Sequence, residues 1–208
     1  GGGHAHCGAL IYHGDAFPAE YRGQLFMNNV HGNRVNADVL EREGSGYVGR
    51  HAEDLLLAND AWFRGISLKT GPDGAVYFID WSDPQACHWA EPEVWDRTNG
   101  RLYRLRYGAV APVAIDLRAA GDQELIALSL NGDEWSSRGA RLELAHREDV
   151  GIGFAHGLAV VDPNATSERL LRALWTLNAI GPLNEAVLAT LIQGDREDLA
   201  AWAVQLAC

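Results

Sequence analysis

The sequence predicts a mixed all-β plus all-α chain, with short strands over residues 1–110 and amphipathic helices over residues 111–208. Three observations carry this. Residues 1–110 hold 15 of the 23 Gly, 6 of the 8 His and 4 of the 7 Trp, whereas the remainder is dominated by Leu and Ala. The first half also shows short apolar runs cut by Gly turns, which reads as strands. The second half repeats apolar residues at i, i+3 and i+4, which is the period of a helix with one buried face.

The strands are taken in order. Gly8–Tyr12 is apolar and ends at Gly14-Asp15; Gln24–Val30 ends in Asn28 and Asn29; Val35–Leu40 alternates polar and apolar residues. Gly65–Leu68 runs into Gly71-Pro72-Asp73-Gly74, where Pro fixes φ and the glycines allow positive φ, so a turn is expected. Ala75–Ile79 and Leu102–Tyr107 complete the set. Several short strands at near-regular spacing point to an antiparallel sandwich, barrel or propeller.

After a boundary near Gly108–Pro112, Leu125, Ile126, Leu128 and Leu130 form the first helical stripe, and Trp135, Ala140, Leu142 and Leu144 the second. Leu170, Leu171, Leu174, Trp175 and Leu177 follow, then Leu183, Val187, Leu188, Leu191 and Ile192, then Leu199, Trp202, Ala203 and Leu206. Breaks fall at Gly132, Gly181-Pro182 and Gly194, with Asp122, Asn184 and Ser167 as candidate N-caps. Trp135, Trp175 and Trp202 are read as core. Gly132-Asp133-Glu134-Trp135 resembles Gly194-Asp195 with Trp202, and paired short helices repeated in this way suggest a HEAT-like α-solenoid. Residues 149–163 fit that pattern poorly.

Charge narrows the function. Seventeen basic against 28 acidic residues give a net charge of −11, which repels phosphate backbones and disfavours nucleic-acid binding. No run approaches the roughly 18 apolar residues of a membrane span. Cys7, Cys87 and Cys208 form neither a disulfide framework nor a zinc pattern, and a Cys7–Cys87 bridge stays open. There is no c-type haem motif, G-x-G-x-x-G, P-loop or G-x-S-x-G.

Several runs resemble one family. They are Gly3-His4-Ala5-His6-Cys7-Gly8, Phe17-Pro18-Ala19-Glu20-Tyr21-Arg22-Gly23, Phe26-Met27-Asn28-Asn29-Val30-His31-Gly32, Gly71-Pro72-Asp73-Gly74, Ile79-Asp80-Trp81 and Asn99-Gly100-Arg101-Leu102-Tyr103-Arg104. Together they resemble the last part of a glucose/sorbosone-dehydrogenase-type β-propeller in large propeller–HEAT proteins, a group of membrane-bound dehydrogenases by label. Leu171-Arg172-Ala173-Leu174-Trp175 and Ala200-Ala201-Trp202-Ala203 resemble the HEAT segment that follows there. The resemblance implies about two terminal blades over 1–110 and HEAT-like helices over 111–208, as a C-terminal fragment of a longer parent. A blade takes about 40–50 residues and a propeller needs about four to eight blades. It also implies a periplasmic or extracellular location, although no leader is visible.

By the same resemblance the parent is a quinoprotein-like sugar or aldose dehydrogenase, moving hydride from a sugar carbon to a PQQ-type quinone, with calcium nearby; the fragment alone would be inactive. Arg64, His31 and Asn29 fall at cofactor-facing positions, with His31 and Asp80 as catalytic candidates, though His31 stands where the sugar dehydrogenases usually carry Lys. A polyanionic quinone needs cations at its carboxylates and a donor at its reactive carbonyl. The residues themselves leave alternatives open: Arg64 pairs with Asp60 or a loop carbonyl, and Asp80 holds a turn. Asp96-Arg97-x-Asn99-Gly100-Arg101 reads as a salt-bridged loop.

His4, His6 and His88, beside Cys7, Cys87, Asp80 and Asp83, are a candidate metal set, because His4-x-His6 puts two imidazoles on one side of an extended segment. Trp62, Trp89 and Trp95 either line a carbohydrate cleft or pack internally. The alternative function is a non-catalytic propeller–HEAT module that binds carbohydrate, or a protein partner through the HEAT groove.

Overall fold

The computed structural model describes residues 5–86, 96, 98–109, 114–147, 164–181 and 183–208. The chain forms two compact units, divided between Val113 and Ala114. The first is built on antiparallel sheets and the second, among the described residues, on five helices.

In the first unit, β1 (His6–Ile11), β2 (Leu25–Asn29), β3 (Arg34–Glu43) and β4 (Gly46–His51) pair antiparallel in chain order, and the short β5 (Leu56–Leu57) adds to β3. A second sheet follows as β6 (Gly65–Thr70), β7 (Val76–Asp80) and β8 (Arg101–Leu105). Alternation decides which face is buried. Phe26, Val35 and Ala37 of the first sheet meet Leu68, Val76 and Phe78 of the second in one core, with Tyr12, Phe17 and Phe63 from the connecting segments closing it. Phe78 stacks on Tyr103 at 5.1 Å and meets Phe63 edge-on at 5.9 Å. The other face of the second sheet is open: Ile66, Ile79 and Leu102 stand opposite one another across three strands, and Leu102 is 71% exposed.

Two devices lock the sheets together. Tyr12 is fully buried; its hydroxyl donates to the Gly74 carbonyl at 2.9 Å and accepts the Phe17 N–H at 3.1 Å. That fastens the expected Gly71–Gly74 turn, where Gly74 has φ +71°. The second device is a pair of bulges. One extra residue interrupts β1 between Cys7 and Leu10, and one interrupts β6 between Ile66 and Lys69. Gly8, at φ +65°, lies against Ser67, itself at φ +56°; a Cβ on Gly8 would sit 2.6 Å from the Ser67 nitrogen.

In the second unit, α1 (Asp122–Asn131), α2 (Glu134–Ala145), α3 (Ser167–Ile180), α4 (Glu185–Ile192) and α5 (Glu197–Ala207) fall where the apolar period places them. Leu125, Ala140 and Leu144 form the core between α1 and α2, while Leu174, Leu177, Leu188, Leu199 and Ala203 bury the inner faces of the rest. Asn184 caps α4, accepting the Ala186 N–H at 2.8 Å. Two expected caps shift by one residue. Thr166 caps α3 in place of Ser167, and Gly121 precedes α1, putting Asp122 in the first turn where its charge suits the helix dipole. Trp135, Trp175 and Trp202 are half-buried rather than core, because wide indoles sit at the edges of these narrow helix interfaces; Trp175 and Trp202 meet edge-on at 4.9 Å.

Candidate functional site

Strand register gathers the chemistry of the first unit at one end of both sheets. His6 stands opposite Asn29, and Asn29 opposite Arg34; in the second sheet Gly65 stands opposite Asp80, and Asp80 opposite Arg101. The sheets are tied at this end by the Cys7 thiol, which donates to the Gly65 carbonyl at 3.5 Å, and by Arg64 Nη1, which donates to the Val30 carbonyl at 3.4 Å. Burial raises the Cys7 thiol above its ordinary pKa.

Asp80 is buried and fully engaged. Its Oδ1 accepts the Arg64 N–H at 3.0 Å and the Ser82 N–H at 2.5 Å. Its Oδ2 accepts from Arg101 Nε at 2.9 Å and Nη2 at 2.5 Å. Arg101 Nη1 reaches Asp60 at 2.6 Å. The Trp62 N–H, and then Arg101, hold the Asp60 carboxyl below the usual carboxylate range. Burial alone would lower the Arg101 pKa, but its bonds to Asp60 and Asp80 outweigh that and raise it. Four N–H donors thus occupy the one carboxylate of Asp80.

Arg64 is buried as well. It donates to the carbonyls of Phe63 at 2.7 Å, Pro84 at 3.0 Å and Val30 at 3.4 Å, and its Nε is sealed from solvent without a partner among the described residues. Burial lowers its pKa, with Asp83, Asp80 and Asp60 pulling the other way. Of the two roles open to it, this is the loop-carbonyl one. A PQQ-type quinone needs a cation offered to its carboxylates, and of this guanidinium's donors Nη1 and Nη2 are held by carbonyls while Nε is not.

Asn29 and His6 belong to a second network at the same end. Asn29 Nδ2 lies 3.2 Å from His6 Nε2 and donates to Asn36 Oδ1 at 2.9 Å. Asn36 Nδ2 donates to Asp54 Oδ1 at 2.5 Å, and Arg34 Nη1 bonds Asp54 Oδ2 at 2.8 Å. His51 Nδ1 pairs with Asp38 at 3.1 Å. Asn29 Oδ1 also accepts the Gly32 N–H at 2.7 Å, fixing the turn on which half-buried His31 sits. Sequence reasoning missed Asn36 and Asp54, whereas Arg101, read as part of a salt-bridged loop, does form ion pairs, with Asp60 and Asp80. The alternation Arg34-x-Asn36-x-Asp38 was the available signal, since period two puts all three on one face.

His4 and His88 lie outside the described residues, as do Cys87, Trp89, Trp95 and Arg97. Among the described residues, no three His, Cys, Asp or Glu side chains are grouped as metal ligands. Asp96 turns the loop before β8, accepting from the Thr98 N–H at 2.8 Å and from Asn99 Nδ2 at 2.5 Å. Two indoles remain open at this end. Trp62 is 42% exposed and Trp81 36% exposed, each within two residues of a carboxylate bonded to Arg101. No described helix is long and apolar enough to cross a membrane.

A family model described as a domain of unknown function, DUF7133, matches residues 2–109. No curated protein and no solved structure matches the chain.

Proposed function

The chain belongs to the DUF7133 family, and from that footing we propose that it is a non-catalytic β-propeller–HEAT module that binds carbohydrate. In this reading the two sheets are consecutive blades and the helices are HEAT-like repeats. Two antiparallel meanders that share a core, one of four strands in chain order with β5 added to β3 and one of three, support the blades, and the open Ile66–Ile79–Leu102 face suits a further sheet.

The observation that carries the binding reading is the pairing of Trp62 and Trp81, both partly exposed, with the Asp60–Arg101–Asp80 cluster. Exposed indoles give flat apolar surfaces for sugar rings, and the charged groups beside them supply donors and acceptors for hydroxyls. The dehydrogenase reading draws less support from Asp80, whose two oxygens already accept four N–H groups, and from Arg64, whose Nη1 and Nη2 donate to loop carbonyls.

The test is calorimetric titration of the chain with neutral oligosaccharides, alongside Trp62→Ala and Trp81→Ala. Saturable heat that falls at least about tenfold in affinity in either variant supports the module. Absence of any sugar response overturns it. Quinone-dependent, dye-linked turnover of aldoses would replace it with the enzyme.

A further inference from the structure

The helical unit carries a cationic feature that the carbohydrate reading does not use. Arg141 on α2 lies over the Trp175 ring of α3, with its guanidinium carbon 5.3 Å from the ring centroid. The Arg141 Nε is buried with no hydrogen-bond partner among the described residues, and the buried indole Nε1 of Trp175 has none either. Two donors on contacting side chains, both out of water and both without an acceptor, are a costly arrangement, because each keeps its desolvation penalty with no bond to offset it.

The surroundings point to what is missing. Glu134 and Glu168 are both on Arg172, at 3.7 Å and 2.9 Å, and Arg172 Nη1 also donates to the Gly132 carbonyl at 2.5 Å. Arg138 adds a further positive charge close enough to act on Arg141. The two carboxylates near Arg141 are thus both paired with Arg172, in a half of the chain with twice as many acidic as basic residues. Burial lowers the Arg141 pKa, Glu134 offsets part of that, and the like charges of Arg172 and Arg138 lower it further. An acceptor bearing negative charge would relieve both the unmade bonds and the repulsion.

We propose that Arg141 and Trp175 form an oxyanion-binding site between α2 and α3, accepting a phosphate or carboxylate group. The guanidinium supplies the charge and a planar fork of N–H donors, and the indole N–H supplies one more. Its stacking on Trp175 holds the fork in place before the anion arrives.

The experiment follows the indole Nε1–H resonances of the chain while inorganic phosphate or acetate is added, with chloride at matched ionic strength as control. The Trp175 resonance should shift saturably with phosphate or acetate and not with chloride; the tighter of the two identifies the class. By calorimetry, Trp175→Phe, which keeps the ring and deletes the donor, should weaken binding roughly tenfold, and Arg141→Gln should weaken it about tenfold or more. Arg141→Lys keeps the charge without the fork and should fall between wild type and Arg141→Gln, so the proposal stays open to test even where Arg141→Gln folds poorly. An equal shift with chloride, no shift with either oxyanion, or full affinity in Trp175→Phe and Arg141→Lys would overturn it.

Discussion

Arg101 grips a single oxygen of Asp80 with two of its nitrogens, at 2.9 and 2.5 Å, across neighbouring positions of β8 and β7. The other Asp80 oxygen faces the opposite way and gathers two backbone N–H groups. One carboxylate therefore anchors the start of β6, the end of β7 and the start of β8.

Asp80→Ala removes the acceptor from two buried N–H groups and leaves Arg101 with only Asp60. The expected loss is about 3 kcal/mol, read from urea unfolding midpoints. Arg101→Gln should cost less, because its guanidinium is about one-third exposed and solvent screens the pair. A double-mutant cycle should show that the two losses do not add.

Asp60 and Asp73 set part of the acid limb of stability. Hydrogen bonds from the Trp62 N–H and Arg101 depress Asp60. Asp73 is depressed although burial works against it, because the Ala75 N–H, Arg104 and Tyr77 together outweigh burial. A depressed folded pKa contributes stability that is complete above the unfolded value, about pH 4, and is lost as pH falls through the folded values. Asp60→Asn and Asp73→Asn should each flatten the fall in melting temperature below about pH 4. Unchanged acid limbs would contradict the assignment.

Tyr12→Phe deletes one buried hydroxyl and leaves the Gly74 carbonyl and the Phe17 N–H without their partner. Thermal melts should show a loss of about 1–3 kcal/mol. Amide exchange should quicken first at Phe17 and around the Gly71–Gly74 turn.

Gly8→Ala is the sharpest steric test. The new methyl would meet backbone atoms of Ser67 and Leu68 at 2.6 to 2.9 Å, and it would also demand positive φ of an alanine. A loss of at least about 2 kcal/mol is expected, visible as a lowered unfolding midpoint. Gly44→Ala, with φ +58° and open space around its Cβ position, isolates the conformational cost alone.

The order of strands and then helices was legible because period two and period 3.6 differ in Val35–Leu40 and in Leu170–Leu177. β4 was not, since Gly46–His51 is almost wholly exposed and so carries no apolar alternation. β5, at two residues, is too short to show a period. At the site, Arg64, Asp80, Asn29 and His6 stood out by type, and register brings them to one end. The partner of Asp80 was hidden because Arg101 lies 21 residues away and meets it only through β7–β8 pairing. Arg141 gave no signal: a lone Arg on a helix looks like a solvated residue until its neighbours are known.

The facing bulges of β1 and β6 have a bearing on how such a chain can change through descent. Each strand carries one surplus residue at the point where the two touch, and beyond that point the in-and-out alternation of each is displaced by one. Deleting the surplus from β1 alone would turn its remaining side chains over and leave the kink in β6 pressing on a straight neighbour. The two indels are tied like the wards of a key and its lock, so chains of this kind should keep both or lose both.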